Sequence, residues 1–196
     1  MIETADSRKD RLRPCLKRSG VIAEILKTIL FVVVVTVLFD MIIPRSEVKG
    51  ASMSPTFEET NRLIVSRLNY MLGLPSRGDI VVFNSVNPRE PYTMLIKRVI
   101  GLPGETLEFR DTKVYINGVR LDETYIREDC SSLKCPDEVI QLGTEEYFMM
   151  GDNRNNSNDS RAFARVVTIH DIVGEVIFRY WPPSEFGLIT GFNYNQ

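Results

Sequence analysis

Two hydroxyls stand two residues apart in "GASMSPTF", Gly50–Phe57: Ser52 and Ser54. A serine becomes a nucleophile when a neighbouring base takes its proton. The usual base is a histidine, and the chain has one, His170 in "VTIHDIVG". Its neighbour Asp171 is adjacent in sequence. Adjacent strand residues point to opposite faces, so Asp171 is badly placed to orient the ring. If either serine reacts, another base is expected. Taken alone, Ser-Met-Ser-Pro is also ordinary turn chemistry, since Pro55 suits a turn.

Lys97, in "LIKRVIG", is a candidate base. In an extended strand it shares a face with Leu95 and Val99, both apolar, while Arg98 points the other way. A lysine among apolar neighbours loses solvation, and its pKa falls from about 10.4 by as much as several units. The neutral amine is then a general base for a serine hydroxyl. The plainer alternative is a surface lysine on an edge strand. A third element is "GDNRNNSNDSR", Gly151–Arg161, with four asparagines, two aspartates, two arginines and two serines. It reads either as a solvated loop or as a hydrogen-bonded platform behind an active site. Its acidic spacing does not match a calcium loop.

These residues need elements to position them. At 43% hydrophobic and 26% charged, the chain of 196 residues is not a disordered composition and can hold one domain with an appendage. A net charge of −2 gives no indication of a nucleic-acid partner. Residues 1–27 form a basic head, with seven Lys and Arg against four Asp and Glu. The apolar run "TILFVVVVTVLFDMIIP" follows at 28–44, with Asp40 its only charge. About 20 helical residues cross a bilayer core, so this run, extended through Ile25 and Leu26, is read as a transmembrane helix. A buried element of a soluble domain or a cleaved signal peptide are the alternatives. The basic flank places the N-terminus in the cytoplasm and the rest outside.

Beyond the anchor the pattern is β-rich. "NRLIVSRL", "GDIVVFNSV", "TMLIKRVIG", "YFMMGDN" and "ARVVTIHDIVGEVIFRYW" read as strands bounded by turns. "VYINGVRL" is a hairpin with Asn117-Gly118 in a type I′ turn. Residues 127–146 read as an extended loop or small lobe. The expected fold is mainly β with one N-terminal transmembrane helix. Residues 45–104 and 147–196 make the main β domain, the one that would be catalytic if these groups react, and 105–146 an inserted hairpin lobe. Cys130 and Cys135 in "CSSLKC" either close a small-loop disulfide or stay free, and Cys15 is expected to be a free cytoplasmic thiol. These cysteines and His170 are too few for a zinc site, so no metal is expected.

Together and in this order the segments resemble the type I signal peptidases, membrane-anchored serine–lysine endopeptidases that remove signal peptides. The matching pieces are "GASMSPT" at 50–56, "RGDIVVF" at 77–83, "IKRVIGLPGE" at 96–105 and "GDNRNNSNDSR" at 151–161, within a resemblance spanning about residues 25–185. The resemblance implies Ser52 as nucleophile rather than Ser54, and Lys97 as general base. It implies Ser157 as the hydroxyl that orients the lysine, and Asp159 with Arg161 as a supporting ion pair, with Asp152 and Arg98 in the same network. The Ser52 N–H is one expected oxyanion donor. Some members supply a second from a serine at the position of Gly50; the glycine here resembles the variant found in many Gram-positive-type enzymes.

Val48, Met53 and Ile96 are expected to line shallow pockets for small side chains, giving cleavage after A-x-A sites. No cofactor is expected. The expected partners are secretory precursors and membrane lipid, with no nucleic acid, and the enzyme is expected to be a monomer in a plasma membrane. Phe178, Trp181 and Phe186 in "FRYWPPSEFG" either dip into the bilayer interface or are core. The competing readings are an organellar inner-membrane peptidase of the same family, a self-cleaving repressor-like domain, and an anchored scaffold on a decayed peptidase fold. The presence of both Ser52 and Lys97 speaks against the last.

Overall fold

The structure, a computed structural model, describes residues 13–42, 44–87, 93–163 and 166–194. The basic head before residue 13 and the side chain of Cys15 lie outside what is described. The chain divides into two units, Met1–Met41 and Ile42–Gln196.

The first unit is built on α1, Arg13–Ile42. Its stretch Gly20–Ile42 has mean hydropathy 2.5, and none of it is buried within the protein. Twenty-three residues at about 1.5 Å each reach across a hydrocarbon core. An apolar surface on every side of a helix is stable only in an apolar surround. Thr36 Oγ1 donates back to the Val32 carbonyl at 2.8 Å, which leaves no free hydroxyl on that face. The apolar stretch begins earlier than the run expected at 28–44, because Val21, Ile22, Ala23, Ile25 and Leu26 continue the apolar surface, with Glu24 paired to Lys27 at 3.0 Å. It ends at Ile42, two residues before Pro44, since proline cannot continue a helix and disfavours helical backbone in the residue before it.

The second unit is β-rich. Among its described residues one sheet contains β1 (Arg45–Glu47), β2 (Arg62–Ser66), β3 (Ile80–Asn84), β4 (Met94–Gly101), β9 (Glu146–Met150), β10 (Val167–Thr168), β11 (Ile172–Trp181) and β12 (Gly187–Leu188). Its order is β1-β2-β11-β3-β4-β9-β10, with β12 on β11. A second sheet, in the order β7-β6-β5-β8, uses β5 (Thr106–Arg110), β6 (Lys113–Ile116), β7 (Val119–Arg120) and β8 (Glu138–Gln141). A short helix, α2 (Asn69–Leu72), follows β2.

For the site, the position of β4 matters most. It pairs with β3 on one side and β9 on the other, both antiparallel. Both faces are covered, so Lys97 and Arg98, which point in opposite directions, are each 3% exposed. That excludes a surface lysine on an edge strand. Val81, fully buried, lies opposite Lys97 on β3. In the second sheet Asn117 and Gly118, both at positive φ, turn β6 into β7 as the Asn-Gly pair predicts. Cys130 and Cys135 form a disulfide packed in the core between the sheets. Phe178 meets Phe186 edge-to-face at 4.7 Å, while Trp181 and Phe186 are themselves exposed, so these aromatics are not ordinary core.

Candidate active site

Ser52 sits in the tight turns after Gly50, and Lys97 in the middle of β4. The fold brings them together over 45 residues: Lys97 Nζ lies 2.7 Å from Ser52 Oγ. Nζ also donates to the Ile96 carbonyl at 2.8 Å, which fixes the amine over the serine. Ser54 is turned away, its hydroxyl donating to Glu58 Oε1 at 2.7 Å. His170 is exposed on a one-turn 3₁₀ helix, and the Asp171 carboxylate caps the Thr168 N–H at 2.9 Å instead of orienting the imidazole.

Two ion pairs flank the lysine. Arg98 binds both oxygens of Asp152, at 2.9 and 2.6 Å. Arg161 does the same to Asp159, at 2.8 and 2.7 Å, and its Nη1 touches both disulfide sulfurs. Burial opposes the Asp159 charge, but the hydrogen bonds and charge of Arg161 hold its carboxyl below the ordinary value. These pairings decide the state of Lys97. Burial lowers its pKa to about 8, against the pull of Asp159 and Asp152 and with the push of Arg161. Because each carboxylate already has a guanidinium, neither fully compensates the lysine for lost water. A substantial fraction of Lys97 is therefore neutral near pH 8.

The turn that carries Ser52 is clamped from behind. Asn153 N–H donates to the Ser52 carbonyl and Asn153 Nδ2 to the Ala51 carbonyl, each at 3.0 Å. Thr56 Oγ1 donates to Asp152 Oδ2 at 2.5 Å, which ties the turn to the Arg98 pair. The Ser52 N–H has no hydrogen-bond partner among the described residues and remains available to an oxyanion. Gly50 has φ +78° and open space where a side chain would begin, so this chain places no second hydroxyl there. Val48, Met53 and Ile96 share one apolar cluster and, with Ser52 and Lys97, line a groove of about 110 Å³.

Ser157 differs from expectation. Its Oγ is buried behind the site but makes no hydrogen bond, and Lys97 is directed to Ser52 and Ile96 instead. Asn153, Thr56 and Gly151 are site residues that the sequence did not single out. A Cβ on Gly151 would stand 2.4 Å from both Ser157 Oγ and the Ser52 carbonyl oxygen. Gly151→Ala is therefore expected to shift the Ser52 turn and slow covalent labelling of Ser52 by a serine-directed inhibitor about tenfold or more, read as the labelling rate of the purified chain. Unchanged labelling would show that the turn tolerates displacement.

A family profile described as signal peptidase, peptidase S26, matches residues 22–181. A signal peptidase I of Bacillus caldolyticus is 41% identical over 150 residues, covering 71% of this chain and 80% of the relative. Signal peptidase IB of Staphylococcus aureus is 33% identical over 180 residues, covering 83% and 88%. A probable signal peptidase I-2 of Synechocystis is 36% identical over 146 residues, covering 73% of this chain and 65% of the relative, just under two thirds of its length.

Proposed function

The chain belongs to the signal peptidase family, peptidase S26, and we propose that it cuts signal peptides from exported precursors with Ser52 as nucleophile and Lys97 as general base. The observation that carries this is the 2.7 Å approach of a buried amine, 3% exposed, to one serine hydroxyl. Neutral Lys97 takes the Ser52 proton as Oγ attacks the scissile carbonyl. The oxyanion forms against the Ser52 N–H. The intermediate collapses to an acyl-enzyme as the new lysyl ammonium gives its proton to the leaving amine. Lys97, neutral again, takes a proton from water, whose oxygen attacks the ester, and the proton returns to Ser52. Once Oγ is acylated, Lys97 loses that partner, and in this reading the buried, unbonded Ser157 hydroxyl then orients the amine.

The groove lined by Val48, Met53 and Ile96 has room for alanine-sized side chains, which supports cleavage after A-x-A sites. The reading includes α1 as a single membrane anchor with its N-terminus cytoplasmic, the β unit on the outer side of a plasma membrane, lipid contact, and a monomeric enzyme. The full chain, purified in detergent, is expected to cut an A-x-A precursor immediately after the second alanine, as sequencing of the product N-terminus would show. Below the lysine pKa each pH unit removes about nine-tenths of the neutral base, so kcat/KM should rise about tenfold per unit to a limb near pH 8 and then level. An acid limb that vanished in His170→Gln, or a rate flat down to about pH 5, would overturn the lysine assignment.

A further inference from the structure

The mechanism above leaves the C-terminal segment without a role. Residues 189–194 lie beyond the stretch that the family profile matches, yet they run against the back of the site. The Ile189 N–H donates to the Ile177 carbonyl at 3.0 Å, and the Phe192 N–H to the Gly78 carbonyl at 3.2 Å. That Gly78 carbonyl also accepts from Arg98 Nη1 at 2.9 Å, so one oxygen joins the tail to the strand that bears Lys97. The approach is tight: a Cβ on Gly78, at φ +95°, would meet the Phe192 carbonyl oxygen at 2.1 Å.

The tail then meets Tyr125. Phe192 and Tyr125 rings are 4.8 Å apart, and Phe192 and Tyr194 rings 4.9 Å. The hydroxyls of Tyr125 and Tyr194 are hydrogen-bonded. Two guanidiniums lie against the Tyr125 ring, Arg98 at 4.1 Å and Arg154 at 5.9 Å from its centre. Arg98 carries Asp152. Arg154 is bound twice by Glu123, at 2.9 and 2.6 Å, and its Nε donates to the Gly151 carbonyl at 3.1 Å. The Tyr125 hydroxyl also lies 2.9 Å from Glu123 and 3.3 Å from Arg154 Nη2. Apart from the bonds to Asp152 and a long one to Thr56, the polar and ring contacts of the Arg98 side chain among the described residues are therefore Tyr125 and the Gly78 carbonyl that Phe192 shares.

We propose that the C-terminal strap, residues 189–194, seated on Tyr125, is a positioning element for the peptidase site: it holds Arg98 and Arg154, and through them keeps Asp152 and Gly151 in register with Lys97 and Ser52. The inference rests on the Ser52–Lys97 reading. A cation against an aromatic face is directional and strengthens as water is excluded, so a ring here fixes the guanidinium plane and not only its charge. Loss of the ring lets Arg98 tilt from Asp152. The charged groups that act on Lys97 are Asp159, Asp152 and Arg161, while Glu47 and Lys49 line the groove in front of it. With Asp152 less compensated the lysyl cation is favoured, so the acid limb moves to higher pH.

The test compares the full chain in detergent, cutting an A-x-A precursor, with Tyr125→Leu, Tyr125→Phe and a chain ending at Gly191. Ser52→Ala runs beside them. Tyr125→Leu and the shortened chain should lose about tenfold in kcat with KM within about twofold, and their acid limb should rise by about half a pH unit. Tyr125→Phe, which keeps the ring, should retain most of kcat and the original limb. Inhibitor titration of Ser52 corrects each rate for the fraction of competent enzyme, so simple unfolding is removed from the comparison. Wild-type kcat and limb in Tyr125→Leu and the shortened chain would overturn the proposal. So would equal losses in Tyr125→Phe and Tyr125→Leu with the limb unmoved. Cleavage by Ser52→Ala would instead overturn the peptidase assignment itself, so the two failures are distinguishable.

Discussion

Lys97→Met is expected to abolish precursor cleavage, with a loss of about four orders of magnitude or more, and Ser52→Ala to do the same. On the proposed mechanism the two groups act as one unit: without the amine nothing takes the serine proton, and without the hydroxyl the amine has nothing to activate. The double variant should be no worse than either single one, because each already removes the whole step. Methionine keeps the length and bulk of the side chain against Val81 and Val99 but has no basic lone pair. It should also leave the fold intact. Below pH 8 the folded state holds the ammonium against burial, a penalty of roughly 3 kcal/mol for a shift from 10.5 to about 8. That penalty is fully present below the folded pKa and fades as pH rises from about 8 to 10.5, where the unfolded lysine also becomes neutral. Lys97→Met removes it, offset by the lost bonds to Ser52 and Ile96. At pH 7 its thermal midpoint should equal or exceed that of the wild type. Residual cleavage within a hundredfold of wild type, at wild-type stability, would exclude Lys97 as the base.

Asp152→Ala is expected to be the most destabilising single change near the site. Asp152 is fully buried and Arg98 is 3% exposed, so the substitution leaves a buried guanidinium without its counter-ion, held among the described residues by the Gly78 carbonyl and the Tyr125 ring alone apart from a long contact to Thr56. Breaking one half of a buried pair costs about 3–5 kcal/mol. For a chain of this size that lowers the thermal midpoint by about 10 °C or more, measurable by circular dichroism in detergent. It also releases Thr56, and with it one tether of the Ser52 turn, so cleavage should fall even at temperatures where the chain stays folded. Replacing both members, Arg98→Met with Asp152→Leu, should recover much of the stability and little of the activity. Apolar residues fill the volume but cannot hold Thr56 or the register of β4. A midpoint within about 2 °C of wild type in Asp152→Ala would show that the Gly78 carbonyl, Tyr125 and entering water compensate the Arg98 charge without Asp152.

Local pattern carried much of the fold. The short β-branched runs in "GDIVVFNSV" and "TMLIKRVIG", bounded by turns, mark β3 and β4, and Asn117-Gly118 marks the turn between β6 and β7. The neighbouring turn was not legible in the same way. Asp111 and Thr112 also stand at positive φ, at 50° and 64°, between paired strands β5 and β6. Neither is a glycine, and the turn is supported from outside the hairpin, by the Asp111 N–H donating to Asp137 Oδ1 at 3.1 Å. Strands β1, β8 and β12 and helix α2 are two to four residues long, too short to carry a period; what holds them is pairing or packing with β2, β5 and β11.

Sequence alone determined the kinds of group present and the apolar settings that make them useful: a serine after a glycine turn, a lysine between Leu95 and Val99, a polar loop rich in asparagine, and an apolar helix long enough to span a bilayer. Those are local properties, set by side-chain type and by the two-residue and 3.6-residue periods of the backbone. Only the tertiary structure decided which hydroxyl faces the amine, since Ser52 and Ser54 differ in direction and not in chemistry. It also decided that β4 lies between two strands, that Arg98 and Arg161 neutralise the carboxylates around Lys97, and that Ser157 is buried without bonding to it. Asn153, Gly151 and Tyr125 acquire their roles the same way. Each acts on a residue dozens of positions away or through the space left by a missing side chain, and such couplings depend on distances that no local period encodes.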